Sequence, residues 1–160
     1  MLIHEIFHPH VKTIHPDMKL GEVVKRMEAD QVNGYVVQTD SGRIVGILSL
    51  QDIAGAIVPK EFRDNIGMAE AMYKRGYFHD ACKLWKQVEV RKVMRKDFLT
   101  VSMDTNILAV MADFLNGDLY IVPVVDHGKL VGIITRSEIR AALIDGFSNR
   151  APKPIKSTKR

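Results

Sequence analysis

The sequence predicts an α+β protein of two tandem β-α-β-β-α units with pseudo-two-fold symmetry and a helical insert between them. The main observation is an internal repeat. Segments 3–7 and 13–17 align with 90–94 and 100–104 at an offset of 87 residues, and segment 44–49 aligns with 130–135 at an offset of 86. With only two copies, a closed two-fold arrangement is expected rather than a solenoid.

The first helix of each unit is predicted from apolar residues spaced i, i+3, i+4 and i+7, which lie on one helical face. These residues are Leu20, Val23, Val24 and Met27 in the first copy, and Ile107, Val110, Met111 and Phe114 in the second. Asp17 and Asp104 precede the two patterns and are predicted N-caps. A short strand is expected to begin near Thr13 and near Thr100.

A β-hairpin is predicted to follow each of these helices. β-Branched runs flank an Asp/Gly-containing turn at 40–42 in the first copy and at 126–128 in the second. Ser49 and Thr135 are then expected to begin the last helix of each unit.

The repeat divides the chain into four segments. These are a first unit at 1–57, a helical insert at 58–88, a second unit at 89–146 and a basic tail at 147–160 that is predicted to be disordered. The insert is expected to form a helical hairpin, because apolar residues recur at helical spacing up to Trp85. Its aromatic residues indicate packing on the body of the protein or on another subunit.

Composition restricts the class of protein. The chain has 160 residues, of which 46% are hydrophobic and 26% charged, as in an ordinary soluble domain. No signal peptide or membrane-spanning run is evident, and the single cysteine, Cys82, fits a reducing compartment, so a cytoplasmic protein is expected. The net charge of +4 comes entirely from the last ten residues. The body lacks the basic stripe that nucleic-acid binding requires.

The strongest local signal is a motif that occurs once in each copy, at 46–52 and at 132–138. It consists of a glycine, two apolar residues, a hydroxyl residue, two variable residues and a carboxylate. One interpretation is structural, because Ser49 with Asp52 and Thr135 with Glu138 have the spacing of capping boxes. The other is functional. A glycine permits close approach, a helix N-terminus suits phosphate and a carboxylate can accept ribose hydroxyls.

The repeat, the element order and the doubled motif together resemble a pair of cystathionine-β-synthase (CBS) domains, also called a Bateman module. The resemblance covers residues 2–57 and 89–144. It implies a regulatory module that binds AMP, ADP, ATP or S-adenosylmethionine and responds by a change of shape or partners. It further implies a homodimer of modules and an unknown effector protein. No catalytic residue and no cofactor are predicted.

The resemblance also implies that each of two clefts borrows residues from both copies. One cleft combines Ser49 and Asp52 with Thr100, Tyr120, Val122 and Pro123; the other combines Thr13, Asn33, Tyr35 and Val36 with Thr135, Arg136 and Glu138. The first cleft is favoured, because it keeps the aspartate and the proline of the family pattern. The second has Glu138 and Val36 in those places, and Arg136 is a candidate phosphate ligand there.

Two other classes of function stay open. The chain could be an oligomerisation or adaptor module whose carboxylates only cap helices. Alternatively, His4, Glu5 and His8 match the H-E-x-x-H zinc pattern, with His10 or His15 as a third ligand, which suggests a small metal-binding protein. Pro9 argues against this second alternative, because it would end a helix within about one turn.

Overall fold

The computed structural model describes residues 1–71, 76–117 and 121–148. They form two compact units. The first unit holds the described residues of 11–99, and the second holds residues 1–10 together with those of 100–148. Both units contain helices and strands, so the predicted α+β class with two tandem units is confirmed. The predicted site residue Tyr120 and most of the predicted tail lie outside the described residues.

In its described residues, the first unit contains a three-stranded sheet and five α-helices. Its elements are β1 (Thr13–Ile14), α1 (Leu20–Asp30), β2 (Gly34–Gln38), β3 (Ile44–Ser49), α2 (Leu50–Ile57), α3 (Lys60–Asp64), α4 (Ile66–Ala71) and α5 (Tyr77–Trp85), with a short 3-10 turn at Val90–Lys92. The strand order is β1-β2-β3. β1 pairs in parallel with β2 through the α1 crossover, whereas β2 and β3 form the predicted antiparallel hairpin.

Helix α1 packs on this sheet through a narrower apolar stripe than the sequence pattern predicts. Leu20, Val23 and Met27 are buried, but Val24 is 41% exposed in this unit. The predicted cap is also wrong, because Lys19 is the N-cap residue of α1 and its side chain makes no capping bond. Asp17 is instead ion-paired with Arg91. The first turn of α1 is held by main-chain bonds, including one from the Leu20 N–H to the Val88 carbonyl (2.9 Å).

The insert is helical, but its first half is not one continuous helix. Helix α3 ends at Asp64, and the extended Asn65 accepts a hydrogen bond from the Met68 N–H through its Oδ1 (3.0 Å). Asparagine competes with the helical main chain in this way, which explains the break. Helix α5 contacts α2. Trp85 packs against the hydrophobic core, whereas Phe78 is 65% exposed in this unit.

The second unit contains α6 (Ile107–Asn116), β4 (Ile121–Asp126), β5 (Lys129–Thr135) and α7 (Arg136–Phe147). Strands β4 and β5 form the predicted hairpin, and positive φ angles at His127 (48°) and Gly128 (75°) give its tight turn. The N-cap of α6 is Asn106, whose Oδ1 accepts from the Leu108 N–H (3.0 Å), so Asp104 is not the predicted cap. The strand expected near Thr100 is reduced to a single bridge between Val101 and Val124.

The N-terminal segment of the chain belongs to the second unit. A 3-10 turn at Ile3–Glu5 lies against the segment before α6, where the main-chain N–H groups of Ile3 and His4 donate to Thr105 and Met103, each at 3.0 Å. The Ile3 side chain is fully buried. None of the helices in the described residues is long and apolar enough to cross a bilayer.

Candidate functional site

The candidate site of the first unit is the junction between strand β3 and helix α2. Ser49 is buried and extended, and it is the N-cap residue of α2. Its hydroxyl accepts a hydrogen bond from the Asp52 N–H (3.2 Å), while Asp52 Oδ2 accepts from the Ser49 N–H (2.8 Å) and from the Ser49 hydroxyl (2.7 Å). Ser49 and Asp52 therefore form a complete capping box at the end of the motif.

The second oxygen of Asp52 has a different partner. Arg95 Nη2 lies 3.3 Å from Asp52 Oδ1, and the side chains of Arg95 and Asp52 are 31% and 14% exposed. The main chain of Arg95 is fixed on strand β3, since its N–H donates to the Ile47 carbonyl (2.8 Å) and its carbonyl accepts from the Ile47 N–H (3.0 Å). The motif carboxylate is thus held between a helix N-terminus and a guanidinium.

Sequence reasoning did not identify Arg95 as a residue of this site. Its repeat equivalent at the offset of 87 is His8, and both copies therefore carry a basic residue directly after the apolar segment that precedes their first strand. This basic residue at equivalent positions of the two copies was the sequence signal that could have identified Arg95. It was weak, because the residues around it differ between the copies and only the structure brings Arg95 to Asp52.

The other predicted residues of the first unit lie on adjoining strands. Thr13 pairs with Val36, and Gly34 pairs with Ser49 at the end of the sheet. The Asn33 carbonyl accepts from the Leu50 N–H (2.8 Å), which places Asn33 beside the start of α2. The first unit therefore brings the Thr13 strand, the Asn33 loop and the capping box to neighbouring positions. The Val36 side chain is buried in this unit.

Tyr35 has its side chain in the core of the first unit. It is 1% exposed, and its hydroxyl donates to Asp30 Oδ2 (2.8 Å). Burial and this carboxylate raise the pKa of Tyr35 far above its usual range. Hydrogen bonds from Lys12 and then from Tyr35 lower the pKa of Asp30. Tyr35 thus anchors strand β2 to the C-terminal end of α1, a role that sequence reasoning did not predict.

The second unit repeats the junction at β5 and α7. Glu138 Oε2 accepts from the Thr135 N–H (2.8 Å) and from the Thr135 hydroxyl, and the Ser137 N–H donates to that hydroxyl (3.2 Å). Thr135 pairs with Ile121, and Arg136 is the first residue of α7. Glutamate and aspartate therefore form equivalent capping boxes, although Glu138 is one methylene longer.

The remaining predicted residues of the second unit lie on or beside strand β4. Val122 and Pro123 are buried and pair with Ile134 and Ile133 of β5. The exposed Thr100 precedes Val101, whose N–H donates to the Pro123 carbonyl (3.0 Å). Thr100 is therefore held next to Pro123 by the main chain.

The two motif glycines allow another segment of the same chain to pass close to their strands. A Cβ on Gly46 would lie 2.7 Å from Met94 Sδ and 2.9 Å from the Arg95 carbonyl oxygen. A Cβ on Gly132 would lie 2.2 Å from Phe7 Cδ2 and 2.7 Å from the His8 carbonyl oxygen. The segment preceding the first strand of each copy thus crosses a motif glycine, and this explains both glycines without a ligand.

The H-E-x-x-H segment is not helical in the way that a zinc protease requires. Its 3-10 turn ends at Glu5, and His8 forms a β-bridge with Ile133, so His4 and His8 are not one α-helical turn apart. The rings of His8 and His10 lie edge to face at 5.9 Å. Among the residues that the structure describes, no group of three or more His, Cys, Asp or Glu side chains is placed to hold a metal ion.

Comparison with known proteins agrees with this architecture. The CBS domain family model matches residues 3–59 and 90–145. An uncharacterised protein of Methanocaldococcus jannaschii, MJ1232, is 33% identical over 132 residues, which are 81% of this chain and 35% of that protein. This chain therefore spans 35% of that relative's length.

Solved structures of CBS pairs show the same fold. The CBS-pair protein CBSX2 from Arabidopsis thaliana has a TM-score of 0.73 at 20% identity, covering 93% of this chain and 98% of that one. A structure of CBSX2 in complex with AMP has a TM-score of 0.65 at 23% identity, covering 91% and 98%. Because the family model matches most of the sequence in two copies, the chain belongs to the CBS domain family as a tandem CBS pair.

Proposed function

We propose that this CBS pair is a regulatory module that binds an adenosine nucleotide and signals by a change of conformation or oligomeric state. The observation that carries the proposal is the repeated junction in which a strand ends in a hydroxyl residue that caps a helix with a carboxylate. AMP, ADP, ATP and S-adenosylmethionine are the candidate ligands. The AMP complex of CBSX2 supports this class of ligand.

The chemistry of the first junction suits a ribose phosphate. Asp52 is an ionisable acceptor beside the N-terminus of α2, where the helix dipole favours an anion. A carboxylate accepts the two hydroxyls of a ribose, as in other nucleotide sites. A nucleotide carries both of these chemical groups, whereas a free sugar or inorganic phosphate carries only one.

We propose the two clefts that the family resemblance implies. The first takes Ser49, Asp52, Thr100, Tyr120, Val122 and Pro123, and the second takes Thr13, Asn33, Tyr35, Val36, Thr135, Arg136 and Glu138. Because the side chains of Tyr35 and Val36 are buried in the first unit, their contribution to a ligand is assigned to the main chain. The first cleft is the favoured site, since it keeps both the aspartate and the proline.

Signalling follows from linkage. A ligand that binds one arrangement of the protein more tightly shifts the population toward it by its differential affinity. The proposal includes a homodimer of modules, a cytoplasmic location, no catalytic activity of its own and an effector protein that reads the bound state.

A ligand-free adaptor is the second candidate. It is favoured by the completeness of both capping boxes, in which Asp52 and Glu138 already have main-chain and hydroxyl partners without a ligand. In that case the two carboxylates would serve only helix stability, and the protein would act through its surfaces alone.

Calorimetric titration of the nucleotide-free protein separates the two candidates. AMP, ADP, ATP and S-adenosylmethionine are titrated into wild type, and the tightest ligand is repeated with Asp52→Asn. We expect micromolar binding that falls at least about tenfold in Asp52→Asn, since the amide loses the negative charge that strengthens bonds to ribose.

The matched control is Asp17→Asn, an exposed aspartate of the same unit that lies outside the proposed clefts. It should bind like wild type. If none of the four ligands binds a folded wild-type protein, the nucleotide proposal is wrong and the adaptor is favoured. Glu138→Gln tests the second cleft by the same measurement.

A further inference from the structure

The acceptor capacity of Asp52 is nearly used before any ligand arrives. A carboxylate offers about four lone-pair positions, two on each oxygen. Oδ2 already accepts two hydrogen bonds from Ser49, at 2.8 and 2.7 Å, and Oδ1 faces Arg95 Nη2 at 3.3 Å. A ribose presents two hydroxyl donors, so at least one existing partner must leave if both are to bind Asp52.

Arg95 is the partner that a ligand displaces most easily. Its contact is the longest of the three and involves one Nη atom, whereas both Ser49 contacts belong to the capping box that begins α2. The guanidinium ends a long flexible side chain that is 31% exposed, while Ser49 is buried. Losing the Arg95 contact therefore costs less than breaking the cap.

The displaced guanidinium stays at the site. The main chain of Arg95 is fixed to Ile47 by two hydrogen bonds, only two residues before Ser49 on strand β3. The charge of Arg95 is therefore left near the ligand with its carboxylate partner taken by ribose. A phosphate on the ligand replaces that partner, and a guanidinium binds phosphate through strong charge-assisted hydrogen bonds.

Resting on the proposed function, we infer that Arg95 determines specificity at the first site by exchanging its bond to Asp52 for one to the ligand's phosphate. An uncharged nucleoside displaces Arg95 from Asp52 but carries no anionic group to which the guanidinium could then bind. A 5′-phosphorylated nucleoside supplies both groups. The site therefore selects nucleotides over nucleosides through a residue that lies outside the doubled motif.

The test compares adenosine with AMP by calorimetry on wild type, Arg95→Gln and Arg91→Gln. Arg91→Gln is the matched control, because Arg91 lies on the same segment and its replacement removes the same charge. Arg91 pairs with Asp17 and Glu89 rather than with Asp52. We expect wild type and Arg91→Gln to bind AMP at least about tenfold more tightly than adenosine. In Arg95→Gln that preference should fall below about threefold, mainly through weaker AMP binding.

A folded Arg95→Gln variant that keeps the wild-type preference for AMP overturns the role of Arg95 and leaves the proposed function intact. Loss of the preference in Arg91→Gln as well would show a general effect of net charge, which also overturns it. If wild type binds neither adenosine nor AMP, the inference fails, and the nucleotide proposal fails with it only when ADP, ATP and S-adenosylmethionine do not bind either. Thermal melting of each variant distinguishes weaker binding from unfolding.

Discussion

Replacing Gly132 with alanine should destabilise the second unit, because the N-terminal segment leaves no room for a methyl group. The new Cβ would lie 2.2 Å from Phe7 Cδ2 and 2.7 Å from the His8 carbonyl oxygen. The Phe7 ring can turn aside, but the carbonyl cannot, since His8 is bound to Ile133 by hydrogen bonds of 2.9 and 3.0 Å. Either the bridge breaks or strand β5 shifts.

The expected cost is about 2 kcal/mol, the middle of the range for inserting a methyl group into packed structure. For a chain of this length it corresponds to a fall in Tm of roughly 4–8 °C, measured by scanning calorimetry. Gly146→Ala is the control, since nothing lies within 4 Å of its added Cβ. Gly146 lies in helix α7, where alanine is the better helix former, so Gly146→Ala should raise the free energy of unfolding by up to about 1 kcal/mol.

Phe7→Ala tests whether the N-terminal segment causes the effect. It removes the ring that is nearest to the added Cβ but leaves the carbonyl in place. Gly132→Ala should therefore cost less in the Phe7→Ala background than in wild type, with a coupling of about 1 kcal/mol. If Gly132→Ala melts at or above the wild-type temperature, the crossing at Gly132 is refuted, whereas an equal cost in both backgrounds would assign the strain to the His8 carbonyl oxygen alone.

Two further predictions concern the first unit, one for its helix cap at Ser49 and one for the pH dependence of stability through Asp30. Ser49→Ala removes both the acceptor for the Asp52 N–H and a donor to Asp52, and it should lower the free energy of unfolding in urea by about 1 kcal/mol. Ser41→Ala, on an exposed turn, is the control and should have little effect. An equal loss of stability in both variants would contradict the capping role. Because the pKa of Asp30 is lowered in the folded protein, ionised Asp30 stabilises the fold above pH 3.8, and this stabilisation is lost as the pH falls through the folded pKa. Asp30→Asn should therefore reduce the acid dependence of stability, and an unchanged pH profile would refute this linkage.

Much of the fold could be predicted because the informative patterns are local and occur twice. The helical spacing of Leu20, Val23 and Met27 identified the buried face of α1, and the residues around Gly128 identified a tight turn. The caps at Asp17 and Asp104 were predicted wrongly. Several polar residues precede each helix, and the choice among them depends on where the main chain turns.

The packing of the N-terminal segment could not be predicted from local pattern. Ile3 contacts a residue about a hundred positions later in the sequence, through a main-chain hydrogen bond to Thr105 that carries no side-chain signature. The burial of Tyr35 was missed for a related reason. Its hydroxyl has a polar partner in Asp30, which makes a core position compatible with a residue type that also suits a ligand site.

The residues that form the capping boxes cannot by themselves distinguish a sensor from an adaptor. The N–H groups of Ser49 and Thr135 each lie 2.8 Å from a carboxylate oxygen, so aspartate and glutamate satisfy the same structural demand. A requirement for capping alone therefore gives no reason for the copies to differ. They differ in the basic residue that follows the preceding apolar segment, which is Arg95 in one copy and His8 in the other. Arg95 carries a permanent charge and contacts Asp52 in the first unit, and we therefore propose that contact as the selective step of a nucleotide sensor.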